Sequence, residues 1–137
     1  MDQITVWVEG WQMQCCGEPF RKGDRVEWTA LKWAFDMPPL AEIKSIDFFY
    51  ENHAGTDREV FVIRGEVSKI GAVFQKYELD PVRNVRLPVS GRLVDHDKEA
   101  DGWEDACGEY EFSAYFVHLH RAEITSIGSQ TLSKGDC

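Results

Sequence analysis

The 137-residue chain contains no apolar run that approaches the roughly 20 residues a membrane-spanning helix requires. Its first residues, Met1 to Trp7, lack both the basic stretch and the long apolar stretch of a secretory signal peptide. We therefore expect neither membrane insertion nor secretion. A cytoplasmic location is the default expectation.

Basic residues are also scarce, with 15 Lys and Arg against 24 Asp and Glu, for a net charge of −9. A nucleic-acid partner needs a basic surface to neutralise phosphates, and an anionic membrane needs one for the same reason. Neither partner is expected. The acidity is concentrated between Asp95 and Glu111, where Lys98 is the only base.

Several catalytic signatures are missing. The sequence has no Gly-x-Ser-x-Gly, no phosphate-binding loop, no Gly-x-Gly-x-x-Gly, no His-Glu-x-x-His and no Cys-x-x-Cys. Serine hydrolase, nucleotide and dinucleotide chemistry are therefore not expected. This pattern favours a binding or interaction module without an evident catalytic motif.

One segment stands out for what it contains. Residues 11–20 combine Trp, adjacent thiols, Gly, Pro and Phe, where a connecting loop would carry small polar residues. The sequence there is Trp11-x-Met13-x-Cys15-Cys16-Gly17-x-Pro19-Phe20, followed by Gly23 and Trp28. It resembles the N-terminal signature of a family of small bacterial proteins known only as a domain of unknown function. The resemblance implies a cytosolic bacterial protein and carries no activity with it.

Alternating apolar residues predict most of the secondary structure. Three predicted strands cover residues 3–9, 59–77 and 110–120. Two shorter strands are predicted around Val26 and Trp28 and around Val85, Leu87 and Val89. Gly65 predicts a bend within its strand. The alternation of apolar residues shifts by one position between Val67 and Ile70, which predicts a bulge, and Pro88 predicts that its strand lies at an edge of the sheet. Apolar residues on both faces of 110–120 predict a central strand.

A helix is predicted near 40–53, although its aromatic second half also fits a strand. The fold class is therefore β-rich, mainly β with one short helix. We expect a single barrel-like domain, OB or SH3-like in character, over residues 1–127. Residues 128–137 are polar and are expected to form a disordered tail.

Two metal sites are conceivable alternatives. Zinc could be held by Cys and His ligands. The candidates are Cys15, Cys16, Cys107, His118 and His120. The run Asp97-x-Glu99-x-Asp101-Gly102-x-x-Asp105 resembles the first half of a calcium loop, but Gly108 stands where the closing acid belongs. The same residues are explained without metal if the cysteines are buried apolar residues and the acidic loop is solvated. The main expectation is therefore that the protein has no cofactor, and zinc is the alternative.

The thiols are expected to be reduced, in keeping with a cytoplasmic protein. Cys15 or Cys16 could act as a nucleophile beside a His, and the pair could oxidise to an eight-membered disulfide that works as a redox switch. Aromatic residues supply the other candidate site: Trp11, Trp28 and Trp103 are predicted to contact a protein or a small ligand.

Overall fold

The computed structural model describes residues 2–34, 40, 42–51 and 58–129, and its architecture is mainly β. In chain order the elements are β1 (Gln3–Glu9), α1 (Gly10–Cys15), β2 (Arg25–Lys32), β3 (Phe48–Tyr50), β4 (Glu59–Asp80), β5 (Val85–Asp95) and β6 (Glu111–Ser129). The predicted β-rich class with one short helix is confirmed for this part of the chain. No helix within it is long and apolar enough to cross a membrane.

The strands form one sheet in the order β2-β3-β1-β6-β4-β5. Strand β2 also pairs with β4, so the first five strands in that order close into a ring, and β5 continues outward from β4. The β1–β3 pair is parallel and the other pairs are antiparallel. The ring is uneven, since β3 has 3 residues and β4 has 22. The OB or SH3-like character stays a prediction.

Strand β4 pairs with three other strands, and its register is interrupted by bulges. Its register against β6 shifts between Arg64 and Glu66 and again between Val67 and Lys69, as the sequence predicted. Gly65 also permits close approach: a Cβ there would lie 3.1 Å from the Leu119 Cβ. The predicted bulge is thus confirmed, while the bend at Gly65 stays a prediction.

The predicted positions of two other strands are confirmed as well. Strand β6 lies between β1 and β4, which makes it central, whereas β5 lies at the outer end of the sheet. Pro88, which lacks an N–H, is tolerated there. Strand β6 runs to Ser129, two residues into the segment predicted as a tail, and residues 130–137 lie outside the described part of the chain.

The prediction of a helix near 40–53 is wrong for the described residues. Leu40 and residues 42–47 are not helical, and Phe48–Tyr50 forms β3, in line with the strand alternative. The backbone pairs with β1 and β2 instead of with itself, and alternation places Phe49 on the opposite face from Phe48 and Tyr50. The helix lies instead at Gly10–Cys15, where a Cβ on Gly10 would meet the Phe112 ring at 2.6 Å.

Apolar side chains pack on both faces of the sheet. Alternate residues of β1 and β6, such as Val6 and Val117, belong to the larger cluster, which also includes Phe20 and Met13. Trp7, which alternates with Val6 and Val8 along β1, is buried in a smaller cluster on the opposite face. That cluster is completed by apolar residues from the segment before β3: Leu40, Ile43 and Ile46.

The acidic segment is docked on the domain rather than fully solvated as expected. Ala100 is buried and its backbone pairs with Phe20 in both directions. Gly102 is buried against Met13, and its N–H donates to the Tyr115 hydroxyl at 2.9 Å. The segment therefore packs on the chain that connects α1 to β2.

Candidate functional site

A cleft of about 520 Å³ opens between the segment that follows α1 and the start of β2. We call it the Trp28 cleft. Its lining combines aromatic rings, acidic side chains and one cysteine of the adjacent pair. A cavity of this size matches the range in which small-molecule sites fall.

Three aromatic residues from three parts of the chain form its apolar wall. The Trp28 ring centroid lies 5.1 Å from that of Phe20 and 5.5 Å from that of Tyr50, both in edge-to-face geometry. Phe20 and Tyr50 are buried, whereas Trp28 is half-buried. Pairing with Ile63 of β4 fixes the backbone of Trp28. Trp28 is therefore the ring that a ligand can contact, supported by the other two.

Acidic groups dominate the charge around these rings. The charged residues of the lining are Glu18, Asp24 and Glu27 against Arg25. The Glu27 carboxylate lies 3.0 Å from the Arg64 guanidinium, which partly neutralises its negative charge. Burial raises the pKa of the Tyr50 hydroxyl, and the nearby carboxylates of Glu18 and Glu51 raise it further. The cleft therefore carries negative potential.

The expectation of reduced thiols is wrong for the adjacent pair. Cys15 and Cys16 form a disulfide, with their Cα atoms 3.8 Å apart. The N–H groups of Cys16 and Gly17 both donate to the Gln12 carbonyl at 2.9 Å, so the chain turns here instead of extending. Neighbouring side chains point to opposite faces of an extended strand, and the turn at Cys16 replaces that geometry here. Cys16 lines the Trp28 cleft, so the disulfide forms part of its wall.

The other two predicted binding residues lie elsewhere. Trp11 is 53% exposed and Trp103 is 68% exposed, and neither lines the Trp28 cleft. Trp103 follows the docked Gly102, and its backbone N–H donates to the Asp101 carboxylate. Of the three predicted tryptophans, Trp28 is the one that lines the cleft of about 520 Å³. Whether any of them binds a partner stays a prediction.

The predicted zinc ligands are not brought together. Within the described residues, no three His, Cys, Asp or Glu side chains lie close enough to hold a metal ion. Cys107 is an exposed free thiol. His120 lies 3.3 Å from Glu66, and His118 lines a separate cavity of about 290 Å³ with Lys69. Burial lowers the pKa of His118, and the Lys69 ammonium lowers it further.

Three acids of the proposed calcium loop, Asp97, Glu99 and Asp101, have protein partners. Asp97 pairs with Lys22 at 3.3 Å and Glu99 approaches Arg21 at 4.0 Å. Asp101 caps the turn at Trp103. These contacts hold the acidic segment against the chain before β2.

Sequence reasoning missed most of the cleft lining. Phe20 and Trp28 lie in the segment singled out for its composition, but Tyr50 was placed in a helix that is absent. The acids were missed because exposed carboxylates are common on any acidic chain. Only their position beside a half-buried ring distinguishes them.

The fold and the cleft define a small β-rich domain with one aromatic and acidic cavity. The chain belongs to the Family of unknown function (DUF6578), whose model matches residues 2–121. The resemblance to a family of unknown function is thereby confirmed, while the signature motif and the bacterial origin stay predictions. No curated protein and no solved structure matches the chain.

Proposed function

We propose that this protein is a non-enzymatic binding module that takes a small ligand, or a side chain of a partner protein, in the Trp28 cleft. One observation carries the proposal: a half-buried Trp28 is held by two buried rings at the wall of a cavity of about 520 Å³. Tryptophan in such a supported position offers a large rigid contact area at low entropic cost.

The test is a ligand-detected NMR screen with a fragment set that contains cationic, neutral and anionic members. The screen compares the wild type with Trp28→Ala and Trp103→Ala. We expect hits that are lost in Trp28→Ala and kept in Trp103→Ala, because Trp103 is exposed outside the cleft. Circular dichroism checks that both variants fold, and Trp28→Phe serves if Trp28→Ala does not. Hits that survive in both Trp28 variants would contradict the proposal.

The disulfide favours a second candidate, a thiol-dependent redox element. A dithiol reductant would transfer two electrons and two protons, which gives free Cys15 and Cys16 thiols and leaves the reductant as a disulfide. Because Cys16 lines the Trp28 cleft, reduction would change the shape of the wall. In the cytoplasm, which the sequence predicts as the location, such a disulfide is exposed to thiol reductants.

Iodoacetamide labelling followed by mass spectrometry tests this candidate. Protein purified without reductant should label at Cys107 and leave the adjacent pair unlabelled until a dithiol is added. The peptide that carries Cys15 and Cys16 is read separately from Cys107 and from Cys137, the fourth cysteine of the chain. Labelling of Cys15 and Cys16 without reductant would show that the pair is a dithiol in solution, and the redox candidate would be withdrawn.

A further inference from the structure

We infer that the ligand of the Trp28 cleft is an organic ammonium cation, such as a trimethylammonium group or an alkylated lysine side chain. This inference rests on the proposed function and names the chemical class that the site accepts. Three independent features of the cleft point to it: the ring chemistry, the sign of the charge and the shape of the cavity.

The rings supply the first argument. The face of an aromatic ring carries negative electrostatic potential, and tryptophan attracts cations most strongly. The protein already uses this contact outside the cleft, for example with Arg92 at 4.3 Å from the Tyr110 centroid and Arg58 at 5.3 Å from that of Phe49. In the described part of the chain, no Lys or Arg lies over Trp28. Phe20 and Tyr50 pack on part of the ring, but Trp28 is half-buried, so its exposed part can meet a cation from outside.

The charges supply the second argument. Asp24 is fixed at the cleft by the backbone N–H of Arg21, which donates to its carboxylate at 2.9 Å. Glu18 stands close enough to Tyr50 to act on its hydroxyl electrostatically. Of the acids, Glu27 is shared with Arg64, and Arg25 also lines the cleft, so the three acids and one base of the lining carry a formal charge of −2. An anionic ligand would be repelled by these carboxylates, whereas a cation would be attracted by carboxylates and ring together.

The shape supplies the third argument. A bare metal ion would need converging oxygen or nitrogen ligands, and the described residues offer no such set. A cavity of about 520 Å³ that presents the half-buried Trp28 ring beside carboxylates suits a bulky, weakly hydrated cation instead. Alkylation removes N–H donors and spreads the charge over methyl groups, which contact rings favourably.

Choline and its neutral isostere 3,3-dimethylbutan-1-ol provide a matched pair of probes, because they share a shape and differ in charge. The readout is the indole N–H resonance of Trp28 in a titration. We expect choline to shift this resonance and to bind about tenfold more tightly than the isostere. Glu18→Gln should weaken choline binding about threefold while leaving the isostere unchanged. Glu109 lies outside the cleft beside Lys76, so Glu109→Gln is the control and should leave the binding of both choline and the isostere unchanged.

The outcomes separate the two proposals. Equal binding of both probes at Trp28 would overturn the cation inference and leave the binding-module proposal standing. Shifts at Trp28 from anionic or neutral fragments alone would do the same. If no probe and no fragment from the wider screen affects Trp28, both proposals fall together.

Discussion

At the scale of single residues, the Trp28 cleft depends on side chains that fix its walls. Trp28 is held by Phe20 and Tyr50, and Phe20 in turn packs on Tyr115 with ring centroids 5.9 Å apart. Tyr115 is fully buried and connects the cleft to the acidic segment through Gly102. Changes along this chain of contacts are expected to lower stability first and to disturb the cleft as a consequence.

Gly102 gives the sharpest stability prediction. Its φ is +89°, and an added Cβ would lie 2.7 Å from the Met13 Cβ and 3.2 Å from the Gln14 nitrogen. We expect Gly102→Ala to lower the free energy of unfolding by about 2–4 kcal/mol, measured by urea denaturation. Gly23→Ala is the control, because the φ of Gly23 is +93° but the added methyl meets open space. It should lower the free energy of unfolding by about 1 kcal/mol. Equal losses would show that packing against Met13 is unimportant.

Tyr115 supports a second prediction. Its hydroxyl donates to Glu104 and accepts from the Gly102 N–H, and burial together with the Glu104 contact raises the pKa of the hydroxyl well above its usual value. Tyr115→Phe removes both partners and should cost about 1–3 kcal/mol in urea denaturation. Tyr77→Phe, which loses one partly exposed bond at 3.3 Å, should cost less. A smaller loss for Tyr115→Phe would refute the role assigned to this hydroxyl.

His118 makes stability depend on pH. Because burial and Lys69 lower its pKa below the ordinary 6.5, the unfolded chain binds the proton more readily than the folded chain. The contribution of neutral His118 to the free energy of unfolding is therefore fully present above pH 6.5. It is lost as the pH falls from 6.5 toward the pKa of His118 in the folded protein. NMR titration of the imidazole should give a midpoint below 6.5 that rises in Lys69→Met. A midpoint at or above 6.5 would contradict this account.

At the scale of elements, strands with strict alternation were predictable and the exceptions have physical causes. Gly65, the phase slip after Val67 and Pro88 marked a bend, a bulge and an edge, since each acts locally. Strand β3 was predictable only as an alternative to a helix, because three residues are too few to show a period and they pair with β1, more than 40 positions away. The Cys15–Cys16 disulfide was predictable only as an alternative to reduced thiols, because the turn at the end of α1 that joins the two cysteines has no sequence signal of its own.

The arrangement of strands predicts a pattern of hydrogen exchange. Strand β6 is paired on both sides, so its amides around Val117 and Leu119 should exchange only on global unfolding. Strand β5 is paired on one side, and the amides that point away from β4 should exchange much faster. Mass spectrometry of peptides from the two strands measures the difference. Equal protection of β5 and β6 would mean that the outer edge of β5 is covered in solution.

At the scale of the whole molecule, two apolar clusters and a docked acidic segment leave one cleft with aromatic walls and carboxylates. The sequence predicted Trp28 as a contact residue but not the cavity, because Glu18, Asp24 and Tyr50 are far apart in the chain or unremarkable alone. The net charge of −9 reinforces the negative potential of the cleft over longer distances. A cationic ligand should therefore bind more weakly as salt is added.

The most direct test of the central claim follows the indole N–H resonances of the five tryptophans while a fragment hit is titrated. Single Trp→Phe variants assign the signals. We predict that the Trp28 signal moves with saturation, whereas the signals of buried Trp7 and exposed Trp103 stay in place. Movement of Trp103 or Trp11 with a stationary Trp28 would contradict the account and relocate the binding surface away from the cleft.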